Sequence, residues 1–249
     1  MVLSNSLQVK MPEIFEDHYI PTLNQTGFMT LEVDEYSQEF INYASFFPDR
    51  PSLEIGAAYG VASLKALKQG AHIIANDLDN RHLEILKQQC PQDYKDRLTL
   101  LPGNFPEEID FEEGSLQAVL ACRVFHFFPG DKIIEGLKKI KHWLTDQGKL
   151  FIINETPYFG TTKAFIPIYE ERKKAGAEWP GLADLNCFDP TKRPFVECTI
   201  NLFDADTLTR ALHEAGFKIE KLSYINREGV FPKSALYDGR ESVGAVAVK

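Results

Sequence analysis

The chain has 249 residues, of which 44% are hydrophobic and 25% charged, a composition that suits one globular domain with its own core. No apolar run approaches the roughly 20 residues that cross a bilayer, so we expect no membrane partner. A net charge of −9 opposes the phosphate neutralisation on which nucleic-acid binding depends, so we expect no nucleic-acid partner.

Predicted strands and helices alternate from residue 50 onward. After a helical pattern at 36–43, the predicted strands lie at 52–55, 71–76, 98–101, 116–121, 149–154, 218–224 and 243–248. The predicted helices between them lie at 61–69, 80–89, 131–144 and 205–215. This alternation predicts right-handed crossovers and a parallel, doubly wound sheet. A hairpin at the end of the chain would make the last pair of strands antiparallel.

Two segments fall outside this alternation. Residues 1–50 precede the regular region and carry scattered aromatics, so we interpret them as an N-terminal cap segment. Residues 156–203 separate the fifth strand from the last helix and are rich in aromatics and prolines. Long connections of this kind in compact domains are usually lids or binding loops. We therefore expect a lid over the substrate, with part of its aromatic set packed as a small core.

An acid and two glycines surround the turn after the first predicted strand. Open α/β sheets bind ligands at the carboxyl ends of their strands, and Gly56 and Gly60 let a ligand approach the backbone closely. Ala58 and Val61 stand where a nicotinamide-binding GxGxxG turn needs glycine, which disfavours that function. Glu54 lies in the strand itself. Because a buried carboxylate is costly unless hydrogen-bonded or paired, we expect it to act beside the turn.

Polar residues also follow the second and third predicted strands. Asp77 lies about 20 residues beyond the glycine turn, where an acid is placed to accept both ribose hydroxyls of an adenosine. Its alternative role is to cap the next helix, which we assign to Asp79 and Asn80. Asn104 would hydrogen-bond an adenine edge while Phe105 covers the face of the base, although an asparagine here is equally typical of a turn.

These segments resemble the class I (Rossmann-like) S-adenosylmethionine-dependent methyltransferases. The run Glu54-x-Gly56-x-Ala58-x-Gly60 is similar to the first motif of that family, with alanine in the middle glycine position. Asp77 matches the ribose-binding acid, and Gly103-Asn104-Phe105 is similar to the adenine-contacting motif, in which aspartate is commoner than asparagine. The resemblance covers residues 50–155 and 203–249, in the order of the family throughout.

The resemblance implies a single methyltransferase domain over residues 1–249. Its α/β fold would be a doubly wound, mostly parallel seven-stranded sheet with an antiparallel last strand and the lid inserted after strand five. It also implies S-adenosylmethionine as the cofactor. The residues that it places at the cofactor are Glu54, Gly56, Ala58, Gly60, Asp77, Leu78, Asn104, Phe105 and Cys122.

Candidates for the chemical step lie just past the ends of the fourth and fifth strands. A general base is needed only if the methyl acceptor keeps its proton near neutral pH, and His126 and Glu155 both face the expected site. His126 is alternatively a packed histidine on an apolar loop. Arg123 would bind an acidic acceptor or pair with a structural carboxylate. From the lid, we expect Tyr158 and Tyr169 to contact the substrate.

The remaining sequence features predict no further chemistry. The N-terminus shows no secretory signal, and the four cysteines show no CxxC pair and no metal-site spacing. We therefore expect a cytoplasmic protein with reduced thiols and without a metal site. The histidines that fall on predicted helices or strand starts, and that we expect at the surface, are His72, His82, His142 and His213.

The sequence predicts S-adenosylmethionine-dependent methyl transfer, most directly to a small organic molecule, because an aromatic lid suits a covered pocket better than an open groove. A protein or peptide acceptor is the alternative, since an acidic surface would suit a basic partner. A third interpretation is a non-catalytic S-adenosylmethionine-binding module that regulates a partner. Nothing in the sequence identifies the acceptor or the oligomeric state.

Overall fold

The computed structural model describes residues 9–14, 19–184 and 199–249. The described strands, in chain order, are β1 (Tyr19–Pro21), β2 (Phe28–Thr30), β3 (Pro51–Ile55), β4 (His72–Asp77), β5 (Leu98–Pro102), β6 (Leu116–Cys122), β7 (Leu144–Glu155), β8 (Leu182–Asp184), β9 (Thr199–Asn201), β10 (Lys218–Ile225) and β11 (Ser242–Val248). The described α-helices are α1 (Glu35–Ser45), α2 (Val61–Lys68), α3 (Asn80–Gln89), α4 (Gly130–Trp143), α5 (Ile166–Lys174) and α6 (Ala205–Glu214).

Seven strands form one sheet, in the order β10-β11-β7-β6-β3-β4-β5. Neighbouring strands from β7 to β5 are parallel, whereas β11 runs antiparallel to both β7 and β10. The chain enters the sheet at β3, proceeds outward to β5 and returns to the other side of β3 with β6, so the strand order reverses between β3 and β6. The predicted doubly wound, mostly parallel sheet with an antiparallel last strand is confirmed.

Helices cover both faces of the sheet because each carries one apolar stripe. On one face, Tyr36 and Phe40 of α1 and Leu67 of α2 share a buried cluster with Phe151 and Ile153 of β7. The other face is covered by α4 and α6, which bury Ile133, Leu137, Leu208 and Leu212. The strands of the sheet are therefore held between two apolar cores. Among the described residues, no helix combines the length and the apolar character that a membrane crossing requires.

Most element boundaries lie within two residues of their predicted positions, and side-chain caps explain two of the helix starts. Asp79 precedes α3 and accepts a hydrogen bond from Arg81 N at 3.0 Å. Asp204 precedes α6 and accepts one from the third helical residue at 2.8 Å. Strand β7 differs from the prediction, which began at residue 149. It starts at Leu144 because it continues directly from α4 and pairs with Leu116 of β6 before the register shifts.

The segments outside the alternation contain regular structure that the sequence pattern does not predict. Strands β1 and β2 form an antiparallel hairpin in the N-terminal cap segment. In the lid, α5 and the antiparallel pair β8–β9 accompany a separate core of Tyr158, Phe165, Tyr169, Ile200 and Leu202. Residues 185–198 of the predicted lid lie outside the described residues. The division of the chain into cap, core and lid stays a prediction.

The contact between β11 and α1 generates a prediction about stability. Gly244 of β11 lies against the ring of Tyr36, and a Cβ at position 244 would overlap that ring. We expect Gly244→Ala to lower the free energy of unfolding by about 1–3 kcal/mol, because overpacking displaces α1 from the sheet. Urea denaturation followed by circular dichroism measures this change. Gly27→Ala is the matched control, since its Cβ would meet only Phe127 at 3.9 Å. Equal losses in both variants would contradict the prediction.

Candidate functional site

A cavity of about 620 Å³ lies at the carboxyl ends of β3, β4 and β6, where the strand order reverses. The turn after β3 and the ends of the neighbouring strands line one part of it. Residues between 22 and 34, around the β1–β2 hairpin, and lid residues such as Phe159 and Thr162 line the rest. This volume falls within the roughly 300–1,000 Å³ typical of small-molecule sites. Residues of the hairpin and of the predicted lid therefore border the cavity.

The turn after β3 is shaped by three residues with left-handed backbone. Gly56 has a φ of 67°, and a Cβ there would lie 2.5 Å from Val124 Cγ2. Gly60 has a φ of 79°, and a Cβ there would overlap Leu86 of α3. Ala58 keeps a φ of 46° although it is not glycine. Gly56 and Ala58 line the cavity, whereas Gly60 is needed for packing against α3.

Glu54 holds the start of α2 beneath this turn. Its side chain is buried, with 6% of the residue exposed, and it accepts hydrogen bonds from Ser63 N, at 2.9 Å, and from Ser63 Oγ. Burial raises the pKa of Glu54 to about 7, although the bonds from Ser63 oppose that shift. The carboxyl group also lines the cavity. Its hydrogen bonds are nonetheless to Ser63 of α2, so it supports the turn by holding the start of that helix.

Asp77 receives three hydrogen bonds at the end of β4. Its Oδ2 accepts from Ala58 N at 2.8 Å, and its Oδ1 accepts from Asp79 N at 2.9 Å and from His82 Nδ1 at 3.0 Å. An ionised carboxylate offers about four lone-pair positions. Among the described residues, one position on Oδ2 is left for a ligand. This is fewer than the sequence interpretation, with two ribose hydroxyls, assumes.

The segment after β5 presents one exposed and one buried residue. Asn104 is exposed, its backbone N donates to Glu108 Oε2 at 2.8 Å, and its side chain donates to Glu107 at 3.3 Å. Phe105 is buried and packs its ring against Phe125, with 5.6 Å between ring centroids. Both Asn104 and Phe105 line the cavity. Phe105 therefore lines the cavity with a ring that is packed in the core.

The ends of β6 and β7 are joined by an ion pair. Arg123, which has a φ of 60°, places its Nε 2.8 Å from Glu155 Oε1 and donates from its terminal nitrogen to Phe28 O at 2.9 Å. Glu155 also accepts from Ser242 Oγ at 3.3 Å. The pair connects the hairpin to the sheet. The structure thus places Arg123 against a structural carboxylate, one of its two predicted roles, and leaves Glu155 engaged.

The ion pair continues into two residues that the sequence interpretation missed. Arg227 donates from Nε to Ser242 Oγ at 2.9 Å, and its terminal nitrogen lies 3.3 Å from Asp34 Oδ2. Both side chains are buried at the cavity, and Cys122 Sγ lies 3.9 Å from the same Asp34 oxygen. Arg227 is 193 residues from Asp34, so no local pattern could have revealed the pair.

His126 differs from these charged groups because its ring is buried and uncharged. Only 4% of the residue is exposed, it lines the cavity, and its Nδ1 has no hydrogen-bond partner among the described residues. Burial, assisted by the nearby positive charge of Arg123, lowers the pKa of His126 to about 3. The imidazole is therefore neutral at physiological pH and lines the cavity, whereas its Nδ1 is itself buried.

The structure brings most of the predicted site residues to this one cavity. Those that line it are Glu54, Gly56, Ala58, Asp77, Leu78, Asn104, Phe105, Cys122, Arg123, His126 and Glu155. Gly60, Tyr158 and Tyr169 are not among the lining residues. Tyr158 donates to Glu170 at 2.7 Å, and Tyr169 lies 3.4 Å from Thr207 Oγ1, because both tyrosines pack in the core of the lid.

One surface expectation is wrong. His82 is 1% exposed rather than at the surface, because the N-terminal segment covers that part of α3.

Comparison with known proteins agrees with this geometry. Residues 53–148 match the family model described as a methyltransferase domain. This part of the chain is a methyltransferase domain. Among curated proteins, no sequence matches the chain.

Solved structures extend the likeness to the fold of most of the chain. An S-adenosylmethionine-dependent methyltransferase from Methanosarcina mazei is 14% identical, with a TM-score of 0.64 over 88% of this chain and 98% of that one. One from Mesorhizobium loti is 13% identical, with a TM-score of 0.59 over 84% and 100%. A glycopeptide N-methyltransferase complexed with S-adenosylmethionine is 17% identical, with a TM-score of 0.55 over 85% and 86%. The fold around the methyltransferase domain is thus the class I methyltransferase fold.

Glu54 makes the stability of the methyltransferase domain depend on pH. Because burial raises its pKa from 4.5 to about 7, the folded state binds this proton more tightly than the unfolded state does. Its stabilising contribution is complete below pH 4.5 and is lost as the pH rises through 7. The loss amounts to about 3 kcal/mol, from the standard value per pKa unit.

We expect Glu54→Gln to remove this loss, because the amide oxygen still accepts from Ser63 but carries no charge. Urea denaturation at pH 5 and pH 8 measures the free energy of unfolding of both proteins. The difference between variant and wild type should shift by about 2–3 kcal/mol in favour of the variant at the higher pH. Glu112→Gln, at an exposed site, is the control. A difference that stays constant between the two pH values would contradict the assignment.

Proposed function

We propose that the protein transfers a methyl group from S-adenosylmethionine to a small organic molecule bound in the cavity. The observation that carries the proposal is the continuity of that cavity, which joins Gly56 and the Asp77 carboxylate to a compartment containing His126. The methyltransferase domain, and the fold shared with a methyltransferase complexed with S-adenosylmethionine, support this cofactor.

The residues around the turn after β3 suit S-adenosylmethionine. At Gly56 no side chain separates the backbone from a ligand, and Asp77 offers its remaining Oδ2 position to a ribose hydroxyl. The exposed Asn104 and the 62% exposed Leu78 would contact the base. The chemistry that the bound cofactor supplies is a methyl group on a positively charged sulfur.

The remainder of the cavity suits an uncharged acceptor. Arg123 and Arg227 both line it, but each is paired with a carboxylate, so their charges are compensated. Thr161 and Thr162 add polar groups without charge. The apolar lining includes Phe28, Phe127, Phe159, Ile200 and Leu202. We propose an acceptor with an apolar body that carries a hydroxyl or amine.

His126 would orient the reacting group of the acceptor. The neutral ring lines the cavity and carries one lone pair and one N–H, so we propose that it accepts a hydrogen bond from an O–H or N–H of the acceptor. Methyl transfer is an in-line displacement, for which alignment contributes on the order of 7–11 kcal/mol. Glu155 is engaged with Arg123, so we propose that it positions this arginine rather than accepting a proton.

A protein or peptide acceptor and a non-catalytic module remain the competing functions. The cavity bounded by hairpin and lid supports a small acceptor over a polypeptide, which needs an open groove. The neighbour that methylates a glycopeptide makes peptide-derived small molecules sensible members of an acceptor screen. Binding of the cofactor without turnover of any acceptor in that screen would favour the non-catalytic module.

Asp77→Asn tests the cofactor site. The variant loses the negative charge and exchanges one acceptor oxygen for a donor, so we expect the Kd for S-adenosylmethionine to rise about 10–100-fold. Calorimetric titration with S-adenosylmethionine and S-adenosylhomocysteine measures this, with circular dichroism to verify the fold. Asp131→Asn, at an exposed site, should bind as the wild type does. An unchanged Kd in folded Asp77→Asn would overturn the assignment.

Substitutions of His126 test the orientation of the acceptor. We expect His126→Ala to lower kcat about 10–100-fold while the Kd for S-adenosylhomocysteine stays within about threefold, because only the bond to the acceptor is lost. His126→Asn, which keeps an uncharged acceptor and donor at this position, should recover part of the rate. Because the pKa of His126 is lowered to about 3, kcat should show no loss from its protonation between pH 8 and pH 5. An acid limb near pH 6 that His126→Asn abolishes would refute the neutral role.

A further inference from the structure

His82 connects the N-terminal segment to the Asp77 carboxylate. It lies in the first turn of α3, is 1% exposed, and bonds through both ring nitrogens. Its Nδ1 lies 3.0 Å from Asp77 Oδ1, and its Nε2 accepts from Leu23 N at 3.0 Å. The ring also meets Tyr59 edge-on, with 5.1 Å between centroids. One imidazole thus spans the gap between a backbone amide of the segment and the carboxylate at the cavity.

The two bonds determine which tautomer the neutral ring of His82 adopts. A backbone amide only donates, so the Nε2 that receives the bond from Leu23 carries no proton. The single proton of the neutral ring must then lie on Nδ1, where it is donated to Asp77. Reversing the ring or moving the proton would break both bonds together.

Residues 19–31 touch the rest of the molecule at this place through two further hydrogen bonds. Tyr59 Oη donates to Pro21 O at 2.8 Å, and Arg81 donates to Leu23 O at 3.1 Å. Neither of these bonds involves Asp77. The same segment supplies Thr22, Asn24, Thr26, Gly27, Phe28, Met29 and Thr30 to the cavity. His82 is therefore the side chain that connects residues 19–31 to the Asp77 carboxylate.

We propose that His82 is a positioning residue that couples cofactor binding at Asp77 to docking of residues 19–31 over the cavity. This inference rests on the proposed function, because Asp77 is taken as a cofactor contact. A cofactor hydroxyl that donates to Asp77 Oδ2 holds the carboxylate in the orientation in which Oδ1 accepts from Nδ1, and a ring held in that orientation keeps Nε2 facing the N–H of Leu23. By linkage, a docked segment favours the bound cofactor to the same extent.

Two substitutions separate the two ends of the connection. The side-chain amide of His82→Asn reaches the position of Nδ1, so it still donates to Asp77 but no longer accepts from Leu23. The longer His82→Gln reaches the position of Nε2, so it still accepts from Leu23 but no longer donates to Asp77. His213→Asn changes an exposed histidine on α6 and is the control.

Hydrogen exchange of peptides covering residues 19–31, with and without saturating S-adenosylhomocysteine, measures the coupling. We expect the ligand to slow exchange at least about tenfold in the wild type and in His213→Asn, and less than about threefold in both His82 variants. Calorimetry should show the reciprocal loss, a Kd for S-adenosylhomocysteine raised about tenfold, in both His82 variants and not in His213→Asn. Tenfold slowing retained in either His82 variant would overturn the proposal.

A measurement on the wild type does not depend on the variants folding. Nitrogen NMR of histidine-labelled protein distinguishes the two neutral tautomers, and we expect His82 to carry its proton on Nδ1. A proton on Nε2 would overturn the proposal. Absence of S-adenosylhomocysteine binding by the wild type would instead sink the proposed function, and the coupling with it. If the wild type binds S-adenosylhomocysteine but the His82 variants keep the slowed exchange, the coupling is wrong and the proposed function stands.

Discussion

The buried Asp77 carboxylate is the interaction on which the proposed cofactor side of the cavity depends. Three donors from two elements meet on it: the amide of Ala58 in the turn after β3 and, from the start of α3, the amide of Asp79 and the ring of His82. A carboxylate this deeply buried is unfavourable without such donors. The turn, the helix and the N-terminal segment are consequently held in one arrangement around it, which lowers the ordering cost that a ligand must meet.

The proposed acceptor side of the cavity depends on a second set of charges, buried or half-buried, that cancel one another. Arg123 and Glu155 form one pair, Arg227 and Asp34 form another, and Ser242 joins them. Removing one member would leave a buried charge without its partner, which is far more costly than the pair itself is stabilising. The ion pairs therefore leave this part of the cavity with little net charge. The imidazole of His126 beside them is neutral because burial lowers its pKa.

The sheet and the strand ends could be predicted because their signals are local. Gly56 and Asp77 each follow an apolar run that ends in a turn, and parallel strands bring such ends to one edge. The direction of a side chain could not be predicted where it depends on distant contacts. Gly60 faces Leu86 rather than the cavity, and Tyr169 faces the core of the lid, because segments remote in sequence pack there. His82 looks like a surface residue until the hairpin is placed over it.

Ala58 shows that the turn after β3 owes its shape to its surroundings. A left-handed backbone costs an alanine roughly 1–2 kcal/mol, yet the residue keeps a φ of 46° with its amide bonded to Asp77. The shape of the backbone is thus retained although the glycine is not. A definition of this motif in dihedral angles and carboxylate contacts would include chains that a three-glycine pattern discards. A search of genomes with a sequence pattern alone would therefore miss some of the proteins that form the same turn.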